Sequence, residues 1–133
     1  MASGGYKELL VWQQAMQLVE MIYALCKSLP KDEAFVLSSQ LRRAAISIPS
    51  NLAEGSGRRS RNEFVQHIRI AYGSLCEVET QVLMVERLKL GEAEWNVLYK
   101  HIASVGRLLK ALSASLSVPS TSATSETLET SAT

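Results

Sequence analysis

The chain has 133 residues, of which 47% are hydrophobic and 20% charged, and its formal net charge is +1 at pH 7. This length is typical of one domain, and so balanced a charge gives no global argument for nucleic acid or a membrane. Only three prolines and seven glycines are present, which disfavours the many turns of a multi-stranded sheet and favours helices.

The first predicted helix covers about residues 7–29 and follows a short flexible segment, residues 1–6. Apolar residues at alternating steps of three and four form one stripe of this helix, which we expect to face the core: Leu9, Trp12, Met16, Val19, Tyr23 and Cys26. Pro30 ends the helix, because proline cannot continue the backbone hydrogen bonding. Residues 1–5 lack the charged and apolar regions of a signal peptide.

The second predicted helix carries the series Leu37, Leu41, Ala45, Ile48 and Leu52. It ends at the Gly-Ser-Gly segment of residues 55–57, a kind of sequence that closes helices. Pro49 lies inside this stretch, where its ring removes one backbone donor and predicts either a kink or a break. Since the apolar spacing continues in phase across Pro49, we predict a kinked helix.

The third predicted helix begins with a capping box, in which Ser60 and Glu63 satisfy each other's backbone amides. Its apolar series is Phe64, Ile68, Ala71, Leu75, Val78, Val82 and Val85. After Gly91 a fourth helix follows, with Trp95, Leu98, Ile102, Val105, Leu109, Leu112 and Leu116. These patterns predict an all-α domain over residues 7–117, an antiparallel up-down-up-down four-helix bundle. Residues 118–133 are rich in Ser and Thr and are predicted to be a disordered tail.

Apolar residues exceed what one stripe for each helix requires. The first helix has a second stripe at helical spacing, and the third has apolar residues outside its main series: Val11, Ala15, Leu18, Ile22 and Leu25, then Ile70, Tyr72, Leu83 and Met84. Two interpretations stay open. The extra residues widen the arc that faces the core, or they form a self-association surface, since large exposed apolar patches are uncommon on soluble monomers.

A polar stripe follows the second helix. Its members recur at steps of four, four and three: Arg43, Ser47, Asn51 and Glu54. Buried polar groups need hydrogen-bond partners, so this stripe predicts a polar seam that sets bundle register or subunit docking. A ligand or RNA contact is the alternative, and catalysis is a third.

No pattern of residues predicts an enzyme. The two histidines, His67 and His101, lack the Glu-x-x-His spacing of di-iron bundles. No glycine-rich phosphate loop or activated nucleophile is visible, so we expect no catalytic residue, metal, cofactor or small-molecule substrate. The two cysteines, Cys26 and Cys76, are interpreted as buried free thiols, with a disulfide as the alternative.

Six arginines are concentrated in the middle of the chain, where the acids are Glu54 and Glu63: Arg42, Arg43, Arg58, Arg59, Arg61 and Arg69. Three of them occupy the glycine-containing turn just before the third helix. Guanidinium groups and exposed amides at a helix N-terminus suit phosphate oxygens. This predicts a nucleic-acid contact led by backbone electrostatics, because no aromatic residues interleave with the arginines. A solvated loop of charges is the alternative.

Residues 40–58, QLRRAAISIPSNLAEGSGR, resemble the signature of the four-helix bundle proteins encoded in intervening sequences of bacterial 23S rRNA genes. Residues 10–16 and 63–77 look like the family's first and third helices, so the resemblance covers about residues 6–112. It implies a homopentameric ring and the signature residues Arg43, Ser47, Asn51, Glu54, Gly55 and Arg58. The chain is also similar to accessory proteins of diversity-generating retroelements, which bind nucleic acid and a reverse transcriptase.

The functional expectation is a non-enzymatic oligomeric protein that binds nucleic acid through its arginine-rich turn, as an accessory protein. Its expected partners are copies of itself and structured RNA or a nucleic-acid enzyme. The alternative is a structural or protein-interaction scaffold. No apolar run reaches the ~20 residues of a membrane span, so we expect a cytoplasmic location without membrane association.

Overall fold

A computed structural model describes residues 5–117 of the chain. Within them the fold is all-α, with four long helices: α1 (Leu10–Lys27), α2 (Ser39–Ser56), α3 (Arg61–Leu88) and α4 (Trp95–Ser117). A 3-10 turn over Gly5–Glu8 precedes α1, and a short π-helical segment, Ala34–Ser38, leads into α2. The predicted tail, residues 118–133, and the first four residues of the predicted N-terminal segment lie outside the described residues.

Local sequence signals explain where the helices begin and end. The Ser60 hydroxyl accepts a hydrogen bond from the Glu63 amide at 3.1 Å, which confirms the serine half of the predicted capping box. The Glu63 carboxylate accepts from the Ser60 hydroxyl at 3.2 Å. That helix ends at Leu88, and the next residue, Lys89, has a left-handed φ of 55° that turns the chain out of the helix. Pro49 lies buried inside α2, and the helix continues through it to Ser56 rather than breaking. The kink stays a prediction.

The core confirms the predicted apolar series of three helices. The α2 series from Leu37 to Leu52 is buried, as is the α3 series apart from the half-buried Phe64. In α4 the central members from Leu98 to Leu109 are buried, while the terminal ones are only partly covered. These buried side chains form one continuous cluster, so the four helices share a single core.

The prediction of which stripe of α1 faces the core was wrong. The buried residues are those of the other stripe, all at most 4% exposed: Val11, Ala15, Leu18, Ile22 and Leu25. Of the predicted stripe only Cys26 is buried, whereas Met16 and Tyr23 are each 40% exposed. The physical reason is that both stripes have helical spacing, and the rotation of α1 against its neighbours decides between them. The second stripe of α1 is therefore core, and it does not supply a self-association surface.

Hydrogen bonds between neighbouring helices support an antiparallel arrangement of the helices. Ser47 and Asn51 of α2 meet Ser74 and His67 of α3, so residue numbers rise along one helix as they fall along the other. In α1 and α4, Gln14 contacts His101 and Ser104, while Ser28 just after α1 contacts Glu92 just before α4. The antiparallel up-down-up-down order stays a prediction, which these contacts support.

Candidate nucleic-acid interface

The α2–α3 turn, which connects Ser56 to Arg61, contains the arginines that the sequence predicts to bind phosphate. Arg58 forms an ion pair with Glu54, with 2.8 Å between Nη2 and Oε2, and both side chains are about half exposed. Arg59 is exposed beside it, and Arg61 is the first residue of α3. The exposed pair is screened by water and holds Arg58 only weakly. The turn thus presents cations next to the N-terminus of a long helix, whose dipole also favours anions.

The six nominated arginines do not form one patch. Arg42 and Arg43 are the fourth and fifth residues of α2, and about 20 Å of helix separates Arg43 from the end of α2 at Ser56. The Arg42 guanidinium lies 5.7 Å from the centre of the Tyr23 ring on α1, which places it on the α1–α2 side of the bundle. These two arginines are therefore separated from the turn by most of the length of α2.

Arg69 faces the opposite side, towards α4. Together with Arg61 it lines an open cleft of about 420 Å³ between the first turns of α3 and the end of α4, which Leu116 and Ser117 close on the other side. Because Arg61 and Arg69 are eight residues apart on one helix, the cleft spans roughly 12 Å along α3. The basic surface therefore extends from the turn along α3.

The polar stripe of α2 divides into an inner and an outer pair. Arg43 and Glu54 are exposed, whereas Ser47 and Asn51 are half-buried against α3. The Asn51 amide nitrogen donates to the backbone oxygen of Ser47 at 2.8 Å and to its hydroxyl at 3.0 Å. The Ser74 hydroxyl donates to the same Ser47 hydroxyl at 2.8 Å. The inner pair thus joins α2 to α3 within one chain.

His67 completes this network, although the sequence pattern did not nominate it. Its Nδ1 lies 3.0 Å from Asn51 Oδ1. Because the Asn51 amide nitrogen already donates to Ser47, Oδ1 is the acceptor and His67 donates through Nδ1. The signal that would have found His67 and Ser74 is their spacing of seven residues, which places both on the face of α3 towards α2.

Gly55 explains how α2 and α3 come close enough for these bonds. A Cβ built at Gly55 would lie 2.6 Å from His67 Cβ and 2.9 Å from Phe64 Cδ1. The glycine is buried in the last turn of α2, so its missing side chain is the space that α3 fills. Both Gly55 and the inner polar pair therefore contribute to packing and register inside the subunit.

The second histidine and the two cysteines lie outside this network. His101 Nε2 donates to the backbone oxygen of Gln14 at 2.7 Å. Cys26 is buried, and burial raises the pKa of its thiol. Cys76 is also a free thiol but is exposed, so the interpretation that it is buried was wrong. No three His, Cys, Asp or Glu side chains within residues 5–117 could hold a metal ion.

A partly exposed apolar face covers the outer side of α1 and α2. This α1–α2 apolar face consists of Trp12, Met16, Val19 and Tyr23 on α1 with Ile46 on α2. Ile46 lies one turn after Arg42, which contacts Tyr23, so the two helices present these residues side by side. Met16, Tyr23 and Ile46 are each 40–41% exposed. Ile70, Leu83 and Met84 of α3 are exposed as well.

A family model described as 23S rRNA-intervening sequence protein matches residues 7–111. The chain belongs to this family. The resemblance predicted from residues 40–58 is therefore confirmed. No match is found among curated proteins.

A solved structure shares the fold of this 23S rRNA-intervening sequence family member. It is the crystal structure of a protein of unknown function from the S23 ribosomal protein family of Bacteroides thetaiotaomicron. The TM-score is 0.71 at 24% identity, over 77% of this chain and 97% of that one. This likeness shows the fold alone. In the described part of the chain, no helix combines the length and apolar character needed to cross a membrane.

Proposed function

We propose that the protein is a non-enzymatic, oligomeric accessory protein of the cytoplasm that binds RNA phosphates through its α2–α3 turn. The observation that carries the proposal is the position of Arg58, Arg59 and Arg61 at the N-terminus of α3, the longest helix described. Fork-shaped guanidinium groups bind phosphate oxygens in pairs, and the helix dipole adds to their attraction. The family's name also associates it with 23S rRNA.

Assembly of several subunits would strengthen this contact. One turn offers three arginines, and a ring such as the pentamer that the family resemblance implies would present that turn repeatedly to one RNA. Linking several weak sites raises the overall affinity without new contacts at any single site. The α1–α2 apolar face supports such assembly, because contiguous exposed apolar side chains commonly mark interaction surfaces.

The test is a fluorescence-anisotropy titration of structured RNA at several salt concentrations. Replacing Arg58, Arg59 and Arg61 together with alanine removes three phosphate contacts, which should lower affinity about a hundredfold at ~0.1 M salt and reduce the salt slope by about 2–3. The matched control removes Lys27, Arg87 and Lys100 together, a loss of the same charge away from the turn. Absence of RNA binding at low salt, or equal losses in both variants, contradicts the proposal.

A scaffold that binds only protein is the second candidate, and the α1–α2 apolar face favours it. Replacing Met16 and Tyr23 with aspartate places charges on that face without entering the core, and should dissociate the oligomer in light scattering. The control replaces Leu10 and Val97 together with aspartate, which introduces the same two charges at exposed positions of α1 and α4. An oligomer that depends on Met16 and Tyr23, in a protein without RNA affinity, would support the scaffold and exclude the RNA role.

A further inference from the structure

We infer that the groove between α3 and α4 binds one unpaired strand of nucleic acid, an inference that rests on the proposed nucleic-acid function. The groove consists of three open clefts that share residues. The cleft at Arg61 shares Arg69 with a second one, and the second shares Tyr72 and Lys110 with a third, which extends to Glu79. From Arg61 to Glu79, the residues that line the three clefts extend over about 27 Å of α3.

Four cationic side chains line this groove, and only the two on α3 are predicted from the sequence to bind nucleic acid. Arg61 and Arg69 come from α3, and Lys110 and Arg107 come from α4. The one acid that lines the three clefts is Glu79, at the far end. The basic part of the groove begins at Arg61, beside the arginine-rich turn, so a strand held at the turn could continue into it.

The groove also supplies an aromatic ring among its cations. Tyr72 is half-buried between the two helices, and the Lys110 ammonium lies 5.2 Å from the centre of its ring. Arg69 lines the same cleft. The Lys110 ammonium lies over one face of this ring, so a base would stack on Tyr72 by displacing Lys110, which could then bind the adjacent phosphate. Aromatic rings with neighbouring cations are the combination that unpaired strands use, because each base has a π-face for stacking. The fold thus creates an interleaving of aromatic and basic residues that is absent along the sequence.

Small residues keep the floor of the groove low. Gly106 faces the ring of Tyr72, and a Cβ built there would lie 3.3 Å from Leu75 Cδ2 and 3.8 Å from Tyr72 Cε1. Ala103 lines the third cleft on the same side of α4, and Ser113 lines the second. With these short side chains in α4, the larger Tyr72 and the cations form the walls.

A groove between two packed helices suits an unpaired strand better than a duplex. Packed helices have axes roughly 8–10 Å apart, so a groove between them admits a single chain. A duplex is rigid and much wider, since its major groove alone is about 12 Å across, and it could touch the groove only along one edge. At ~3.4 Å for each phosphate of a stacked strand, the ~27 Å length of α3 that lines the groove matches at most about eight nucleotides.

Cys76 provides a reporter inside the groove. It is the exposed one of the two free cysteines, and it lines the third cleft together with Arg107 and Lys110. Because Cys26 is buried, a thiol reagent should modify Cys76 first in the folded full-length protein. A strand that occupies the groove should slow this alkylation at least fivefold.

The experiment compares oligouridine of about eight nucleotides, oligothymidine of the same length and an RNA hairpin of equal charge, by anisotropy and by alkylation of Cys76. With four phosphate contacts, affinity for the unpaired strands should fall about fiftyfold between ~50 and ~200 mM salt. The double variant Arg107→Ala, Lys110→Ala should lose about 25-fold at ~0.1 M salt. Tyr72→Leu should lose about tenfold through stacking. The matched control is Arg87→Ala, Lys100→Ala, which should bind like the unaltered protein.

The outcomes separate this inference from the proposed function. The inference is supported if both unpaired strands bind more tightly than the hairpin, the variants lose affinity as expected and bound strand protects Cys76 from alkylation. Equal or tighter hairpin binding, a double variant that matches its control, or unprotected Cys76 overturns it. If the arginines of the turn still prove necessary, the RNA function survives that result. Absence of binding to every probe refutes both.

Discussion

Replacing Gly55 with alanine tests whether close contact between α2 and α3 holds the turn in place. In an exposed helix this change would stabilise the protein by about 0.8–1 kcal/mol, because alanine is the better helix former. Here the new methyl group would lie 2.6 Å from His67 Cβ. That atom is bonded directly to the backbone of α3, so a rotation of the His67 side chain cannot relieve the contact.

The expected cost follows from the distance. Carbon atoms pack best at roughly 3.5–4.0 Å, so the two helices must separate locally by about 1 Å. Such overpacking usually costs about 1–3 kcal/mol. The same separation lengthens the bond between His67 Nδ1 and Asn51 Oδ1, now 3.0 Å, which contributes about 0.5–1.5 kcal/mol. After the gain in helix propensity, we expect a net loss of about 1–3 kcal/mol in the free energy of unfolding.

Gly73 offers a matched control with the opposite expected sign. It lies exposed inside α3, and a Cβ built there has nothing within 4 Å. Gly73→Ala should therefore gain the higher helix propensity of alanine without a steric cost, and raise the free energy of unfolding by about 0.8–1 kcal/mol. At about 4 °C for each kcal/mol, the two variants should lie on opposite sides of the unaltered protein in Tm.

The assay is urea denaturation followed by far-ultraviolet circular dichroism, with thermal melts at one fixed protein concentration. The fixed concentration matters because oligomerisation shifts apparent stability by mass action. A Gly55→Ala variant as stable as the unaltered protein, or two variants that shift in the same direction, would refute the close contact between α2 and α3.

Three further predictions concern single side chains. Asn51→Ala should lower the free energy of unfolding by about 1–2 kcal/mol in urea, because His67 Nδ1 loses its acceptor; no loss would contradict the network. Ser60→Ala should cost about 1 kcal/mol in the same assay through the lost cap, and an unchanged midpoint would contradict it. Burial, and then the hydrogen bond donated to Glu86, raise the pKa of Tyr99 to about 12 from 10.0. Because the pKa is higher in the folded protein than in the unfolded chain, protonated Tyr99 stabilises the fold. This contribution to the free energy of unfolding is complete below pH 10 and is lost as the pH rises towards 12. In ultraviolet titration Tyr99→Phe should abolish the ionisation near pH 12, and its persistence would refute the assignment.

The RNA proposal and the groove inference differ in how far the sequence supports them. The glycine-containing turn and its arginines are contiguous, so their placement before a helix N-terminus follows from local signals alone. Lys110 lies far along the chain from Arg69 and Tyr72. Only the packing of α4 against α3 makes it part of the same surface.

The sequence by itself determined the helical class, the cap of α3 and the apolar series of α2, α3 and α4. These features depend on interactions over three or four residues, which periodicity and capping residues report directly. The family could be assigned for a similar reason, since the pattern that carries it lies within residues 40–58.

Only the tertiary structure decided which stripe of α1 is buried. Both stripes have helical spacing and consist mostly of apolar residues, so periodicity cannot distinguish them. The tertiary structure also decided that Arg42 and Arg69 lie on different sides of the bundle and that Asn51 bonds to His67. Each depends on the rotation and register of one helix against another, which are set by packing between residues distant in the chain.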